Sequence, residues 1–212
     1  MAISPEDKLS IYNAALRHLG SRQLVALTEE RKPRRVLDGI WGADNGLVRK
    51  ALERGEWNFA IRTVLGDYNP SIEPGFGFRR AYDKPDDFRR LAALSPDEYF
   101  RSPLTNDQYV DEAGFWFTNH DVIFIRYVSD DDAYGMNAAA WPQAFREHLE
   151  YSLAADACET ITNSGGRRRE LHAASMDALK IAKSNDTMGE GVKFLPPGSW
   201  SRSRYSRKGD RN

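Results

Sequence analysis

The sequence predicts an α+β protein, a helical bundle built from N- and C-terminal helices with a small antiparallel β-domain inserted between them. Three observations predict it. Apolar residues recur at helical spacing near the start of the chain and again after residue 141. The period is lost over a proline- and glycine-rich stretch from 69 to about 102. Aromatic and β-branched runs at 115–118 and 122–128 flank a short polar segment. The implied organisation is a helical domain of residues 1–66 and 141–185, a β-rich insertion over 67–140, and a flexible basic C-terminal arm over 186–212.

The spacing predicts a first helix over 5–19. Ser4 caps it, Pro5 suits its first position, and Glu6 and Asp7 face the positive end of its dipole. Leu9, Tyr12, Leu16 and Leu19 form its apolar stripe, and Gly20 stands where a left-handed cap belongs. A second helical stretch begins near Pro33 and carries Val36, Ile40, Leu47, Val48, Ala51 and Leu52. Gly39, Gly42 and Gly46 weaken it and allow close packing or a kink. Trp57, Phe59, Ile61, Val64 and Leu65 take the apolar signal on to Gly66.

In the middle, 78–82 and 88–94 read as short strands flanking the turn Asp83-Lys84-Pro85-Asp86, and Ser95-Pro96-Asp97-Glu98 as the capped start of one helical turn. Residues 115–118 and 122–128 around Asn119-His120-Asp121 predict a β-hairpin. After Asp130-Asp131-Asp132, a helix starts at Trp141-Pro142. Its Phe145, Leu149, Leu153, Ala157 and Ile161 step by four along one face, which is expected to pack on the first or second helix. Gly165-Gly166 breaks it, and a fourth helix runs from about 167 to 183 with Leu171, Ser175, Ala178 and Ala182 at helical spacing.

With 212 residues, 41% hydrophobic and 29% charged, the chain has the composition of a globular protein able to bury a core unaided. Its single cysteine, Cys158, excludes an intramolecular disulfide and a polythiolate zinc site, and among Ala154, Ala155 and Ala157 it reads as a small buried hydrophobe. Thirty Lys and Arg against 31 Asp and Glu leave a net charge of -1, so bulk charge predicts neither nucleic-acid coating nor membrane adsorption. The opening residues, without a basic region and an apolar core, predict a helix start rather than a secretory leader.

No phosphate-binding loop, dinucleotide fingerprint or nucleophile elbow is present. His18, His120, His148 and His172 lack ligand spacing, so neither metal nor other cofactor is expected. The acidic pairs Asp86/Asp87 and Asp111/Glu112 and the run Asp130-Asp131-Asp132 have the residue types for a glycan hydrolase. Adjacent acids on a strand point to opposite faces and acids in turns support the turn, so no catalytic residue is assigned. At the C-terminal end, Trp200 and Tyr205 are interleaved with Arg202, Arg204, Arg207, Lys208 and Arg211. Trp200, Arg202, Arg204, Tyr205, Arg207 and Lys208 are the expected partner-binding residues. The aromatics would anchor in a protein partner while the arginines pair with carboxylates; the same pattern also fits a phosphate clamp or a solubilising tail. Arg167-Arg168-Arg169 places positive charge at a helix start, against the dipole, for a contact or a solvated face.

Four patches occur in a telling order. They are Asn13-Ala14-Ala15-Leu16-Arg17-His18-Leu19-Gly20, then Trp57-Asn58-Phe59-Ala60, then Tyr82-Asp83-Lys84-Pro85-Asp86-Asp87-Phe88-Arg89-Arg90, and finally the alanine-rich helix at 145–161 with Leu153-Ala154-Ala155. In order and spacing, over roughly residues 10–165, they resemble the tail tubular protein A family, the head-to-tail adaptor of short-tailed bacteriophages. The resemblance implies a virion protein made in the host cytoplasm. It implies a ring of identical subunits, a dodecamer in the family, contacting the portal protein on one side and a downstream tail or nozzle protein on the other. DNA passes through its channel without sequence-specific binding, and neither catalysis nor a membrane is involved. Two alternatives carry their own requirements. A tail-associated cell-wall glycan hydrolase needs two carboxylates about 5–10 Å apart in a cleft. A nucleic-acid-binding module needs a basic groove on the folded body.

Overall fold

A computed structural model describes residues 3–42, 46–75 and 77–189, and within them the chain is α+β, with helices at both ends and two small antiparallel sheets between. Helix α1 (Pro5–His18) starts as the sequence dictates: the Asp7 N–H donates to Ser4 Oγ at 3.1 Å. It ends on Gly20 at φ 68°, where the Ser21 N–H reaches back to the Leu16 carbonyl at 2.9 Å. The second helical stretch is two helices, α2 (Lys32–Trp41) and α3 (Leu47–Glu53). Gly42 terminates the first, its N–H bonding the Asp38 carbonyl, and Gly46 precedes the second, so two of the three weak points are used as a break.

After a 3-10 turn at Asn58–Ala60, the apolar signal continues as a strand, β1 (Ile61–Leu65), although these residues fall within the stretch 1–66 expected to be helical. The remaining strands are β2 (Asp67–Tyr68), β3 (Arg80–Asp83), β4 (Phe88–Ser95), β5 (Tyr109–Glu112), β6 (Phe115–Thr118) and β7 (Phe124–Ser129). They form two sheets, in the orders β1-β7-β4 and β2-β3-β6-β5. The expected hairpin over 115–128 is therefore not one. Both strands exist, but β6 pairs with β3 and β5 while β7 pairs with β1 and β4. The reason lies just upstream. Ala113 and Gly114, at φ 52° and 88°, make a two-residue turn with both residues left-handed, and it commits β6 to β5. With β3 on its other edge, β6 has no edge left, and 119–123 must cross to the second sheet. Gly66 makes room for that crossing, since a Cβ there would stand 2.6 Å from Ile123 Cγ1. Between the sheets Tyr82, Leu94, Trp116, Ile123, Ile125 and Tyr127 form a core of their own.

Helix α4 (Gln143–Thr162) carries Phe145, Leu149 and Leu153, all fully buried, into the larger core with Ile11, Tyr12 and Leu16 of α1 and Leu37 of α2. It ends on Asn163, left-handed at φ 53°, so the break precedes Gly165-Gly166, which instead open α5 (Gly165–Gly189). That helix buries Leu171, Ser175, Ala178, Leu179 and Ala182, and it extends through 186–189, residues expected in the flexible arm. Arg167 donates to the His18 carbonyl at 2.5 and 3.1 Å, satisfying an orphan acceptor at the end of α1, and Arg168 pairs with Glu159 at 2.7 Å. These contacts offset the unfavourable placement of positive charge at the start of a helix. Cys158 is fully buried. Among the described residues no helix is long and apolar enough to cross a membrane.

His148 is buried between α4 and α5, its Nδ1 donating to the Ser175 carbonyl at 2.9 Å. Burial pushes its pKa below 6.5; the Ser175 carbonyl opposes that, and the charges of Arg54 and Lys183 add to it. The folded protein thus holds His148 neutral where the unfolded chain binds a proton. Its contribution is complete above the unfolded pKa and is lost as pH falls from there through the lower folded value. In urea titrations at about pH 7.5 and about pH 5.5, spanning the unfolded imidazole pKa, His148→Gln is expected to show a smaller shift of midpoint than the parent protein.

Candidate functional site

The segment 82–90 crosses from one sheet to the other, and it positions the most strongly tied polar groups of the protein. At its start the Tyr82 hydroxyl donates to the His120 carbonyl at 2.9 Å, and Asp83 accepts from Asn69 Nδ2 at 3.0 and 3.2 Å. Lys84 Nζ reaches Asp111 at 2.5 Å and lies over the rings of Phe88 and Trp116, 5.1 and 5.3 Å from their centroids. The Pro85 carbonyl accepts from the Phe88 N–H, which closes the turn. At the far end Arg89 pairs with Asp130, which also receives Arg49 Nε at 2.8 Å, and Arg90 donates to the Glu53 carbonyl at the end of α3.

Asp87 is the centre of this arrangement. Its Oδ1 accepts from the Tyr127 hydroxyl at 2.8 Å, and its Oδ2 accepts from Arg62 at 2.8 Å and from the Ser129 hydroxyl. Its own carbonyl takes the Asp130 N–H at 3.0 Å. One carboxylate therefore ties β1, β4 and β7 together. Burial works against its ionisation, but the hydrogen bonds from Ser129, Arg62 and Tyr127, with the Arg62 charge, outweigh it and hold the carboxyl below the usual carboxylate range. Burial, and then the hydrogen bond to Asp87, push the Tyr127 hydroxyl far up.

These residues form one side of a cleft of about 750 Å³ between the sheets, lined by Asp67, Asp83, Asp86, Asp87 and Asp131 against Arg62 and Lys84. Five carboxylates against two cations make it acidic, so it repels phosphate rather than attracting it. Asp87, ionised and accepting three side-chain hydrogen bonds, has no proton to give as a general acid, a role that requires a raised pKa. Asp131 supports its turn by accepting the Ala133 N–H at 2.8 Å, and Asp111 holds Lys84 and the Trp116 indole. Among the described residues no group of three or more His, Cys, Asp and Glu side chains is placed to hold a metal ion.

The structure thus brings Asp86 and Asp87 to one cleft and ties Asp130 to two arginines. It leaves His18 stacked on Tyr151 and His148 in the helical core. The expected partner-binding residues Trp200, Arg202, Arg204, Tyr205, Arg207 and Lys208 lie outside the described residues. Sequence reading missed Arg62, Tyr127 and Ser129 as partners of Asp87. Only correct strand pairing, Arg62 opposite Tyr127 and Phe88 opposite Ser129, reveals them. No protein-family model matches this sequence, and a search of the curated proteins returns no match.

Proposed function

We propose that the chain is a structural virion protein, an adaptor that closes into a ring with copies of itself, docks beneath the portal of a short-tailed phage and continues the DNA-exit channel. Besides the four-patch resemblance, the observation that carries this reading is how the 82–90 patch is used. Most of its polar side chains are committed to ties within one sheet or the other, to the 119–123 crossing or to α3, which makes a stiff body rather than a reactive centre. Large apolar side chains are left outside: Leu65, Tyr68, Tyr99, Val110 and Val122 on the β half, and Ile181 and Met188 on α5. Surfaces of this kind suit contact between copies and with a portal. A body whose main cleft is acidic also suits DNA that slides past without being held. The basic aromatic residues from Trp200 to Lys208 are the proposed grip on the portal or on a neighbouring subunit, and no catalytic step belongs to this role.

Native mass spectrometry and electron microscopy of the purified chain, alone and mixed with its portal protein, test the reading. A closed ring in either sample is expected, because a head-to-tail interface between copies gives a ring when its rotation divides the circle. Deletion of residues 199–212 is expected to weaken portal docking without changing the thermal midpoint. A chain that stays monomeric in both samples would overturn the proposal. So would cell-wall glycan degradation by the pure protein that disappears in Asp86→Asn/Asp87→Asn, which would install the hydrolase in its place.

A further inference from the structure

A cavity of about 70 Å³ opens where α3, α4 and α5 meet. Each helix turns polar residues to it: Lys50 and Arg54 from α3, His148, Ser152 and Asp156 at steps of four from α4, and Ser175 from α5. One water needs about 10–15 Å³ of such space, so the cavity takes a group of about five heavy atoms.

His148, 1% exposed, forms its inner wall. The Nδ1–H of that ring is committed to the Ser175 carbonyl at 2.9 Å, so the neutral imidazole carries its lone pair on Nε2. No described residue donates to Nε2. Buried acceptors are nearly always paired, so this one points to a donor that the cavity admits. Ser152 holds a second unspent group. Nδ1 also lies 3.2 Å from Ser175 Oγ, which meets that N–H as an acceptor. The Ser175 proton therefore goes to Ser152 Oγ at 2.6 Å, and the Ser152 proton is left over as a donor. At the mouth Lys50 and Arg54 are exposed, and neither forms an ion pair among the described residues. Asp156 and His172 share that rim, and the charge of Lys183 also reaches the His148 ring. Cations outnumber the one carboxylate, which favours an anion.

We propose that this cavity binds hydrogen phosphate, the free inorganic ion. Its charged oxygens meet Lys50, Arg54 and the Ser152 hydroxyl, and its own P–OH donates to His148 Nε2. Charge alone would admit any small oxyanion, and the lone pair on Nε2 makes the selection. Sulfate and a phosphodiester have no proton to give. A phosphomonoester, with a second pKa of about 6, has lost its proton at about pH 8. Asp156 acts in the same direction, since it repels an anion and is a second acceptor for the P–OH. DNA, a diester, is not held here. The site lies within one chain, so the inference is independent of ring formation.

Isothermal titration calorimetry of the full-length chain at about pH 8, where a monoester is fully ionised, tests it with inorganic phosphate, sulfate and methyl phosphate as probes. Inorganic phosphate is expected to bind once per chain. The other two are expected to bind about tenfold more weakly or less, because each leaves Nε2 buried without a donor. Lys50→Gln/Arg54→Gln, at two exposed positions, is expected to weaken phosphate binding about tenfold while the thermal midpoint in phosphate-free buffer stays unchanged. Imidazole nitrogen NMR locates the ion. The Nε2 resonance of His148, assigned by its loss in His148→Gln, is expected to move on addition of phosphate and to stay in place with sulfate. Absence of binding up to about 10 mM phosphate would overturn the proposal and leave a cavity that holds only water. Equal affinity for sulfate, undiminished binding by the double variant, or an unmoved His148 resonance would overturn it as well.

Discussion

Phe145→Ala is expected to destabilise the protein by about 3–5 kcal/mol, the upper part of what large-to-small core changes remove. Phe145 is fully buried and packs edge-on against three aromatic rings, with centroids 4.9 Å from Trp57, 4.9 Å from Phe59 and 5.5 Å from Trp141. The size of the loss depends on whether those rings can swing into the space. Both tryptophans are pinned by their indoles, Trp57 to the Ala51 carbonyl and Trp141 to the Gly135 carbonyl, each at 2.9 Å. Gly135 in turn has no room to move, since a Cβ there would stand 2.1 Å from the Ser129 carbonyl oxygen. The cavity therefore stays open. Urea unfolding followed by tryptophan fluorescence and by circular dichroism measures the loss. A value under about 1 kcal/mol would mean that the aromatic cluster collapses freely.

The same cluster shows which parts of the fold were legible. Helices α1 and α4 announce themselves because their stripes are continuous and their ends carry Ser4, Pro5, Gly20 and Pro142. Strands β6 and β7 are legible because they are rich in aromatic and β-branched residues, and β4 because it follows the turn Asp83-Lys84-Pro85-Asp86. Their partners are not. Strand β5, Tyr109–Glu112, is largely exposed and half acidic, so it gives little apolar signal, and without it Ala113-Gly114 does not read as a hairpin turn. Once β5 is missed, the nearest apolar neighbour of β6 is β7, and the wrong hairpin results. Strand β1 is hidden differently: Ile61 packs on the helical core, so the segment continues the apolar run of Trp57 and Phe59 without a boundary. The acidic pairs of the cleft were visible as residues, but their chemistry depends on partners far away in sequence. Arg62 is 25 positions from Asp87, Tyr127 is 40 and Ser129 is 42, too far for any local pattern to connect them.

That long-range wiring sets the second large effect, and it separates two neighbouring aspartates. Asp87→Ala is expected to destabilise by about 2–4 kcal/mol, because it strands two largely buried hydroxyls, each costing about 1–3 kcal/mol when left unpaired, and removes the counter-charge of Arg62. Arg62 is 35% exposed in its side chain and can turn to water, which keeps the loss below that of breaking a fully buried pair. Asp86→Ala, one residue away in the same turn and with no such network, is expected to stay within about 0.5 kcal/mol. The depressed carboxyl of folded Asp87 also sets a pH dependence. A group held below its unfolded pKa contributes stability that is complete above that unfolded value and is lost as pH falls through the folded one. The parent protein should therefore exceed Asp87→Asn in stability at about pH 7, and the gap should narrow below about pH 4, where the unfolded carboxyl takes up its proton. Urea midpoints for the parent, Asp86→Ala, Asp87→Ala and Asp87→Asn at those two pH values measure all of this together. If Asp86→Ala and Asp87→Ala lose the same amount, the carboxylate of Asp87 does not hold β1, β4 and β7 together, and the stiffness of the proposed ring subunit has to come from the inter-sheet core of Trp116, Ile125 and Tyr127 alone.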